Sequence, residues 1–349
     1  MRVQDPALKH HWSTINMAST YGDFEKSQGK LAVATYFSGQ VGGEANLISG
    51  PRTLYHYSGK GGAEAIMLNQ SMWATDARYL NDERELGVAG EILRRQLEDN
   101  PPVHGSSEAE FFAYSILEQV AQDSNFYTSP DAARVFITCF TSRKSSLGLW
   151  RGYGHGSLGY SMGYPFELVK KLYPDDWPGT SSTGVSNCLR LCGKVSYLPG
   201  HQEDSIRDFR RAMQARLAAI HDDPASQGNE HELVRMVRRL MTILDVFFKD
   251  AAWQEEDEFR YAIIDFSKSL KTQTRETTYG FAEYLTLRSA TPDDYPFAPT
   301  SLDQGPTSNP DAHAKEMEEW LQQNRDLWSS SKPWLNRLPI VTTFGAALR

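Results

Sequence analysis

The chain is poor in cysteine. Only Cys139, Cys188 and Cys192 occur in 349 residues. An odd number, sparse and late in the chain, argues against a disulfide scaffold and for a reducing compartment. No continuous apolar run reaches the roughly 18 residues that a membrane span needs, and the N-terminus lacks the apolar core of a secretory signal. A cytoplasmic protein without a membrane partner is expected; delivery into a target cell by a route without a cleaved signal stays open. Nucleotide and metal signatures of fixed spacing are missing as well: no G-x-G-x-x-G after a strand, no Walker loop, no H-E-x-x-H, no C-x-x-C. Cys188 and Cys192 lie four apart with no histidine close by, so no zinc site is expected. Ser157 in the Gly154–Gly159 stretch has the G-x-S spacing of a nucleophile elbow, but strand-like YSMGY follows where a helix would be required.

Basic charge is also in deficit. The net charge is −8 and the pI about 5.6, which excludes nonspecific capture of nucleic acid by the whole chain but not a local basic groove. Apolar residues make up 40% and charged residues 23%, as in a soluble globular protein with a sizeable core. The length suits about two units of ~150 residues or one domain with large insertions. Three segments are expected: residues 1–52 as an N-terminal extension in which only Leu31–Phe37 reads as a strand, 53–289 as the main domain, and 290–349 as a Pro-rich linker or lid, a helix and a last strand packing on that domain.

The main domain reads as α+β: a split, bent mixed sheet flanked by helices. The stretch Leu54–Glu85 organises it. A β-favouring run, Thr53–Ser58, is broken by Gly59, Gly61 and Gly62. A small helix, Ala63–Asn69, and a second extended run, Met72–Asp76, follow. Asn81 or Asp82 can cap the next helix, whose apolar residues keep a 3.6-residue period to about Glu98. Further helices are expected over Glu108–Gln122, Phe166–Tyr173 and Ala312–Trp328, and a short helix or turn over Ser145–Tyr153. Strands are expected over Arg134–Thr141, Tyr160–Gly163, Leu189–Leu198, Glu258–Phe266, Thr277–Leu287 and Leu338–Phe344. Gln202–His221 and Glu230–Phe248 read as an inserted helical hairpin covering one sheet face.

Chemistry concentrates at a few places. In Trp253–Arg260, WQEEDEFR, a strand period puts Glu256, Glu258 and Arg260 on one face. Two such carboxylates repel unless something cationic or hydroxylic lies between them; Arg260 could hold one ionised while the other meets substrate. An exposed acidic strand edge is the alternative. His56 opens an H-x-S triplet with Ser58 and is either a half-buried histidine bonded to backbone or a ligand contact. Tyr57 faces the other side and belongs to the core. Trp73, Tyr79, Trp150 and Tyr153 are core aromatics or a stacking wall for a flat ring. Arg151, set among aromatics, binds a carboxylate, either internal or a ligand phosphate. Arg235, Arg238 and Arg239 read as a solvated helix face.

Seven short motifs fall in order: LYHYS at Leu54–Ser58, MWATDARYLNDERE at Met72–Glu85, CFTS at Cys139–Ser142, LWRGYG at Leu149–Gly154, GYSMGY at Gly159–Tyr164, VSY at Val195–Tyr197, and Lys249 with W-x-x-E-x-E-x-R at Trp253–Arg260. Together, over about Leu54–Ile264, they resemble a bacterial family known as domain of unknown function 2971. Its pattern is similar in turn to the ADP-ribosyltransferase superfamily, with an early His-x-Ser/Thr strand, an aromatic after a small helix and a late strand bearing Glu. That resemblance implies that His56 and Ser58 bind NAD, that Tyr79 stacks on nicotinamide, and that Glu258 or Glu256 is catalytic. Trp73, Asn81, Trp150 and Arg151 join the expected cofactor contacts, Arg151 on the diphosphate, for which no Gly-rich helix cradle was evident. The implied activity is transfer of ADP-ribose from NAD to a protein or nucleic-acid acceptor, or to water, by a toxin or phage-defence effector with a possible antitoxin or immunity partner. No metal is implied. A nucleotide-sensing module without catalysis, and a Mg²⁺-dependent nuclease using Asp82, Glu256 and Glu258, are the rival readings.

Overall fold

A computed structural model describes residues 52–80, 86–122, 132–154, 159–177, 188–222, 230–277, 280–289, 297–324 and 339–343. The expected strand at Leu31–Phe37 and the caps Asn81 and Asp82 lie outside them. The described elements run β1 (Thr53–Gly59), α1 (Lys60–Asn69), β2 (Met72–Asp76), α2 (Val88–Glu98), α3 (Glu108–Gln122), β3 (Arg134–Thr141), α4 (Leu147–Tyr153), β4 (Gly159–Pro165), α5 (Phe166–Val169), β5 (Leu172–Pro174) and β6 (Cys188–Lys194). Then come α6 (Pro199–His221), α7 (Glu230–Asp245), a 3-10 turn (Ala251–Glu256), β7 (Glu258–Asp265), β8 (Gln273–Thr277), β9 (Gly280–Ser289), β10 (Ser301–Gln304), α8 (Pro310–Gln323) and β11 (Ile340–Thr343).

The strands form one large mixed sheet flanked by helices. Its ladders are antiparallel except for β10 beside β11. The apolar run of β3 lies at the centre, as a strand buried on both faces should. One edge of β3 pairs with β7 over its whole length, from Arg134↔Asp265 to Thr141↔Glu258. The other edge is shared by two strands. It meets β1 at Tyr55↔Thr141 and β2 at Thr75↔Ile137 and Asp76↔Phe136. Between those points β1 and β2 part, and each stays in the sheet through its outer neighbour, β1 through β4 and β2 through β9.

Two layers of helix cover this sheet. On one face α1, α5 and α8 bury Met67, Val169, Met317 and Leu321 against Phe140, Met162, Tyr164 and Leu285. On the other, Ile243, Val246 and Phe247 at the end of α7 pack on Val135, Ile137, Leu191, Ala262 and Ile264. Behind α7 lies a four-helix core in which Ile92, Leu93, Leu117, Phe209, Met213 and Val237 meet. The two long helices exist, but α6 and α7 pack chiefly on α2 and α3. The expected hairpin is therefore half of a four-helix layer.

Other differences have local causes. The expected helix Phe166–Tyr173 stops at Val169, and Leu172–Pro174 pairs with β9 as β5. The polar run QTRET is a strand because β9 pairs with it, making a hairpin where one strand was expected. Ser301–Gln304, within the expected linker, inserts between β4 and β11. The Gly-rich entry to β4 follows from close approach: a Cβ at Gly159 would lie 2.6 Å from the Ser58 carbonyl oxygen.

The start of α2 gives a test of the helical layer. Its N-cap, Gly87, offers no side-chain acceptor. Instead Asp245, buried at the end of α7, accepts from Ala89 N–H at 2.7 Å. Asp245→Ala should lower unfolding stability by about 2 kcal/mol, the loss of a cap plus an unsatisfied buried donor. Urea titration reads this as a lower midpoint at unchanged slope; an unshifted midpoint would show that the two helices are not tied through this carboxylate.

Candidate functional site

Where β1 and β2 part, a cavity of about 1170 Å³ opens. Side chains of a strand alternate between faces, and β3 lines the cavity from both: Ile137 and Cys139 belong to the α7 side and Phe140 to the α1 side. The cavity thus passes through the plane of the sheet. His56, Ser58, Trp73, Tyr79, Tyr153, Glu256 and Glu258 all line it. The exposed aromatics Trp73, Tyr79, Tyr153 and Trp253 stand on its rim.

His56 occupies the place where the β1–β3 ladder would have continued. Its Nδ1 lies 2.9 Å from the Cys139 carbonyl oxygen. Since a carbonyl only accepts, Nδ1 carries the proton. Burial lowers the imidazole pKa, against the smaller raising effect of that hydrogen bond. The ring is therefore neutral at pH 7, and its Nε2 is an acceptor. Ser58 is held by the turn that follows. A Cβ at Gly62 would collide with Ser58 Oγ, so the glycine lets the first turn of α1 close over the hydroxyl in its present rotamer. That helix begins on Gly59 without a side-chain cap. Gly59, Lys60, Gly61 and Gly62 line the cavity, so uncapped backbone N–H groups make an anion-friendly helix start that is not legible in the sequence, while the Lys60 ammonium is held by Glu316 at 2.6 Å.

The acidic end is built differently from the expected strand face. Glu258 opens β7, but Glu256 ends the 3-10 turn, and Asp257 between them takes a left-handed backbone (φ 44°). The two carboxylates still converge, because Lys249 Nζ sits 2.8 Å from Glu256 and 3.3 Å from Glu258. Tyr153 donates its hydroxyl to Glu256 at 2.6 Å. Arg260 donates Nε to one Glu258 oxygen at 2.9 Å and a terminal nitrogen to the other at 3.2 Å. Cation and hydroxyl thus lie where the repulsion required them, and the exposed-edge alternative fails: Glu258 is 3% exposed and Arg260 0%. Burial alone would raise the Glu258 pKa; the Arg260 and Lys249 charges and the hydrogen bonds from Arg260 and Cys139 overcome it and bring it down to about 2. Burial of its hydroxyl, together with the Glu256 charge, pushes the Tyr153 phenol up, so it stays a donor.

Two expected contacts do not belong here. Trp150 is 1% exposed and packs edge-on against Tyr57 at 4.7 Å, because the inner face of α4 must cover β1. Arg151 lies exposed on α4 outside the cavity lining. Asn81 lies outside the described residues. Arg275 lines the cavity and was missed; its guanidinium reaches Thr75 Oγ1 at 3.1 Å and lies 5.3 Å over the Trp73 ring. Its only sequence signal was a cation in a polar, hydroxyl-rich strand.

Residues 149–261 match the sequence model of the family described as Protein of unknown function (DUF2971). The resemblance to that family, drawn from the motifs, is borne out over a segment holding the last four of the seven, from LWRGYG to the WQEEDEFR run. No curated protein and no solved structure matches the chain.

The charge cluster predicts a pH dependence. The folded pKa of Glu258 lies below its ordinary value of 4.5, so its contribution is complete above pH 4.5 and is lost as pH falls towards about 2. The shift corresponds to about 3 kcal/mol. Glu258→Gln should be less stable than the wild type by about that amount at pH 7, with the gap narrowing as pH drops from 4.5 towards 2. Denaturant unfolding of both proteins across that range checks it, and a pH-independent gap would refute the assignment.

Proposed function

We propose that this protein is an NAD-dependent ADP-ribosyltransferase, its sheet split in the manner of that superfamily. What carries the reading is the convergence of His56, Ser58, Tyr79, Glu256 and Glu258 on one cavity at the parting of β1 and β2. His56 Nε2 and Ser58 Oγ suit the ribose and the nicotinamide amide. Tyr79, 44% exposed, suits stacking on the nicotinamide ring. The start of α1 takes over the diphosphate role that Arg151 cannot fill from outside the cavity, with Lys60 joining it by exchanging Glu316 for a phosphate.

The reaction breaks the bond between the nicotinamide nitrogen and ribose C1. The electron pair leaves with nicotinamide, and positive charge develops on the ribose, as in glycoside cleavage. A carboxylate fixed in its ionised form beside that ribose stabilises the charge. Glu258 is so fixed, and Glu256, bridged to it by Lys249, lies closer to solvent. The acceptor's lone pair forms the new bond to C1, and its proton passes to Glu256 or to water. Such NAD consumption fits a toxin or phage-defence effector restrained by an antitoxin or immunity partner.

A nucleotide-sensing module is the second reading, favoured by the engagement of both Glu258 oxygens. The nuclease reading is weakened because Lys249 Nζ occupies the position between Glu256 and Glu258 that a divalent cation would need.

Mixing the protein with NAD and following nicotinamide decides among these. The expected result is release by the wild type and a fall of about 100-fold or more in Glu256→Gln and Glu258→Gln, with His56→Ala raising KM. Binding of NAD without turnover supports the sensor. Inertness towards NAD together with Mg²⁺-dependent cleavage of nucleic acid supports the nuclease.

A further inference from the structure

The α7 layer covers β3, β6 and β7 but not the whole of its sheet face. Trp73 and Thr75 of β2 point to that same face, since Thr75 pairs with Ile137. Tyr284 of β9 and Gln273 and Arg275 of β8 continue it, through Thr75↔Tyr284, Gln273↔Tyr284 and Arg275↔Ala282. No described helix packs extensively on this part, where Thr75 and Tyr284 are buried and Trp73 is exposed. It is a shelf contiguous with the cavity, which Trp73, Thr75 and Arg275 also line.

The shelf has a consistent chemistry. Trp73 is 44% exposed, a large apolar ring left in water beside the Tyr284 ring at 4.6 Å and the Arg275 guanidinium. Arg275 has no carboxylate partner among the described residues, and its Nε is buried without an acceptor. Residues 267–289 hold Lys268, Lys271, Arg275 and Arg288 against Glu276 and Glu283; Arg288 is paired with Asp175 at 3.0 Å, so the local excess is a single cation in a chain of net charge −8. Exposed Gln273 shares the shelf face of β8 with Arg275, and exposed Lys271 lies just before the strand, which has no partner strand on its outer edge among the described residues. An exposed flat ring beside a guanidinium, with a lysine just ahead of the same strand, is the combination that holds an unpaired base and its phosphates. The cavity volume, 1170 Å³, exceeds the roughly 300–1000 Å³ that suits one small ligand.

We propose that this shelf binds single-stranded nucleic acid, with one base stacked on Trp73 and the sugar-phosphate chain running along β8 past Arg275 and Lys271. The proposal deepens the transferase reading, on which it rests only for the word acceptor. A base amine or ring nitrogen brought over the cavity would form the bond to ribose C1 with its lone pair and lose its proton to Glu256, as nicotinamide leaves.

Fluorescence anisotropy with the full chain and end-labelled mixed-sequence 12-mers tests it, without NAD present. Single strands of DNA or RNA should bind, more weakly as salt rises, and the matching duplex should not compete. Trp73→Ala and Arg275→Ala, each checked for an unchanged circular dichroism spectrum and melting temperature, should weaken binding roughly tenfold or more. Absence of strand binding, equal binding of duplex, preference for an acidic peptide, or binding indifferent to both substitutions overturns the proposal. Its failure is separable from that of the transferase: nicotinamide release to water without strand binding removes the shelf alone, and strand binding by a protein inert towards NAD removes the transferase alone.

Discussion

One edge of β3 has to serve two strands, and the rest of the site follows from that. A strand edge carries a row of donors and acceptors that must find partners. β7 takes one edge of β3 completely. On the other, β1 and β2 each pair at one end and then diverge. Where the ladder is interrupted, the imidazole of His56 meets the Cys139 carbonyl. The gap stays open because its two sides are rigid. β1 is paired with β4 from Thr53↔Pro165 to Gly59↔Gly159, and β2 with β9 from Met72↔Leu287 to Thr75↔Tyr284. A pocket framed by paired strands holds its side chains more closely than one framed by loops.

The second constraint is electrostatic. Glu258 and Arg260 are buried at the start of β7, and Lys249 with them. Taking such charges out of water costs several kcal/mol per ion and is sustained only when each is paired and hydrogen-bonded. Here the two carboxylates balance the two cations, Tyr153 adds a donor to Glu256, and Arg260 also donates to the Val246 carbonyl at 2.7 Å. Lys249 is itself held from the helical layer: Gln202 of α6 donates to its carbonyl at 2.9 Å, and its N–H reaches Ser196 at 3.2 Å. The position of the charge bridging both carboxylates therefore depends on α6 as much as on β7.

Much of this was legible in the residues, in proportion to how local the cause was. The apolar run Arg134–Thr141 and the periodic run Glu108–Gln122 end where expected, because burial on both faces and a 3.6-residue stripe leave one solution each. The need for a cation between Glu256 and Glu258 could be argued from spacing. That Lys249 and Tyr153 supply it could not, since only the fold brings them together. β8 went unread because QTRET is exposed and polar; its strand character comes from its partner. The glycines do break the strand, since β1 ends at Gly59; the helix expected from Ala63 starts at Lys60, so Gly61 and Gly62 already belong to it, where tertiary packing overrides their low propensity. Trp150 was misassigned because an indole beside an arginine looks the same in a core as on a binding wall.

The two open surfaces share one origin. The chain spends four helices on the α7 face, yet α2, α3 and α6 pack mainly on one another and on α7 and do not extend over the sheet. Among the described residues the end of α7, with Val246 and Phe247, seals β3, β6 and β7, joined by Ala77 and Leu80 after β2. Where that seal stops, the 3-10 turn carries Glu256 to the cavity, and beyond it Trp73 stands exposed, with Tyr284 buried beside it and Arg275 half-buried. Had the helices spread over β2 and β9, Trp73 would pair with a helix and the parted strands would be closed from that side. The compactness of the four-helix layer is therefore what leaves a hollow and a shelf side by side, with Trp73, Gln273 and Arg275 reaching water over the buried Thr75, Tyr284 and Thr286.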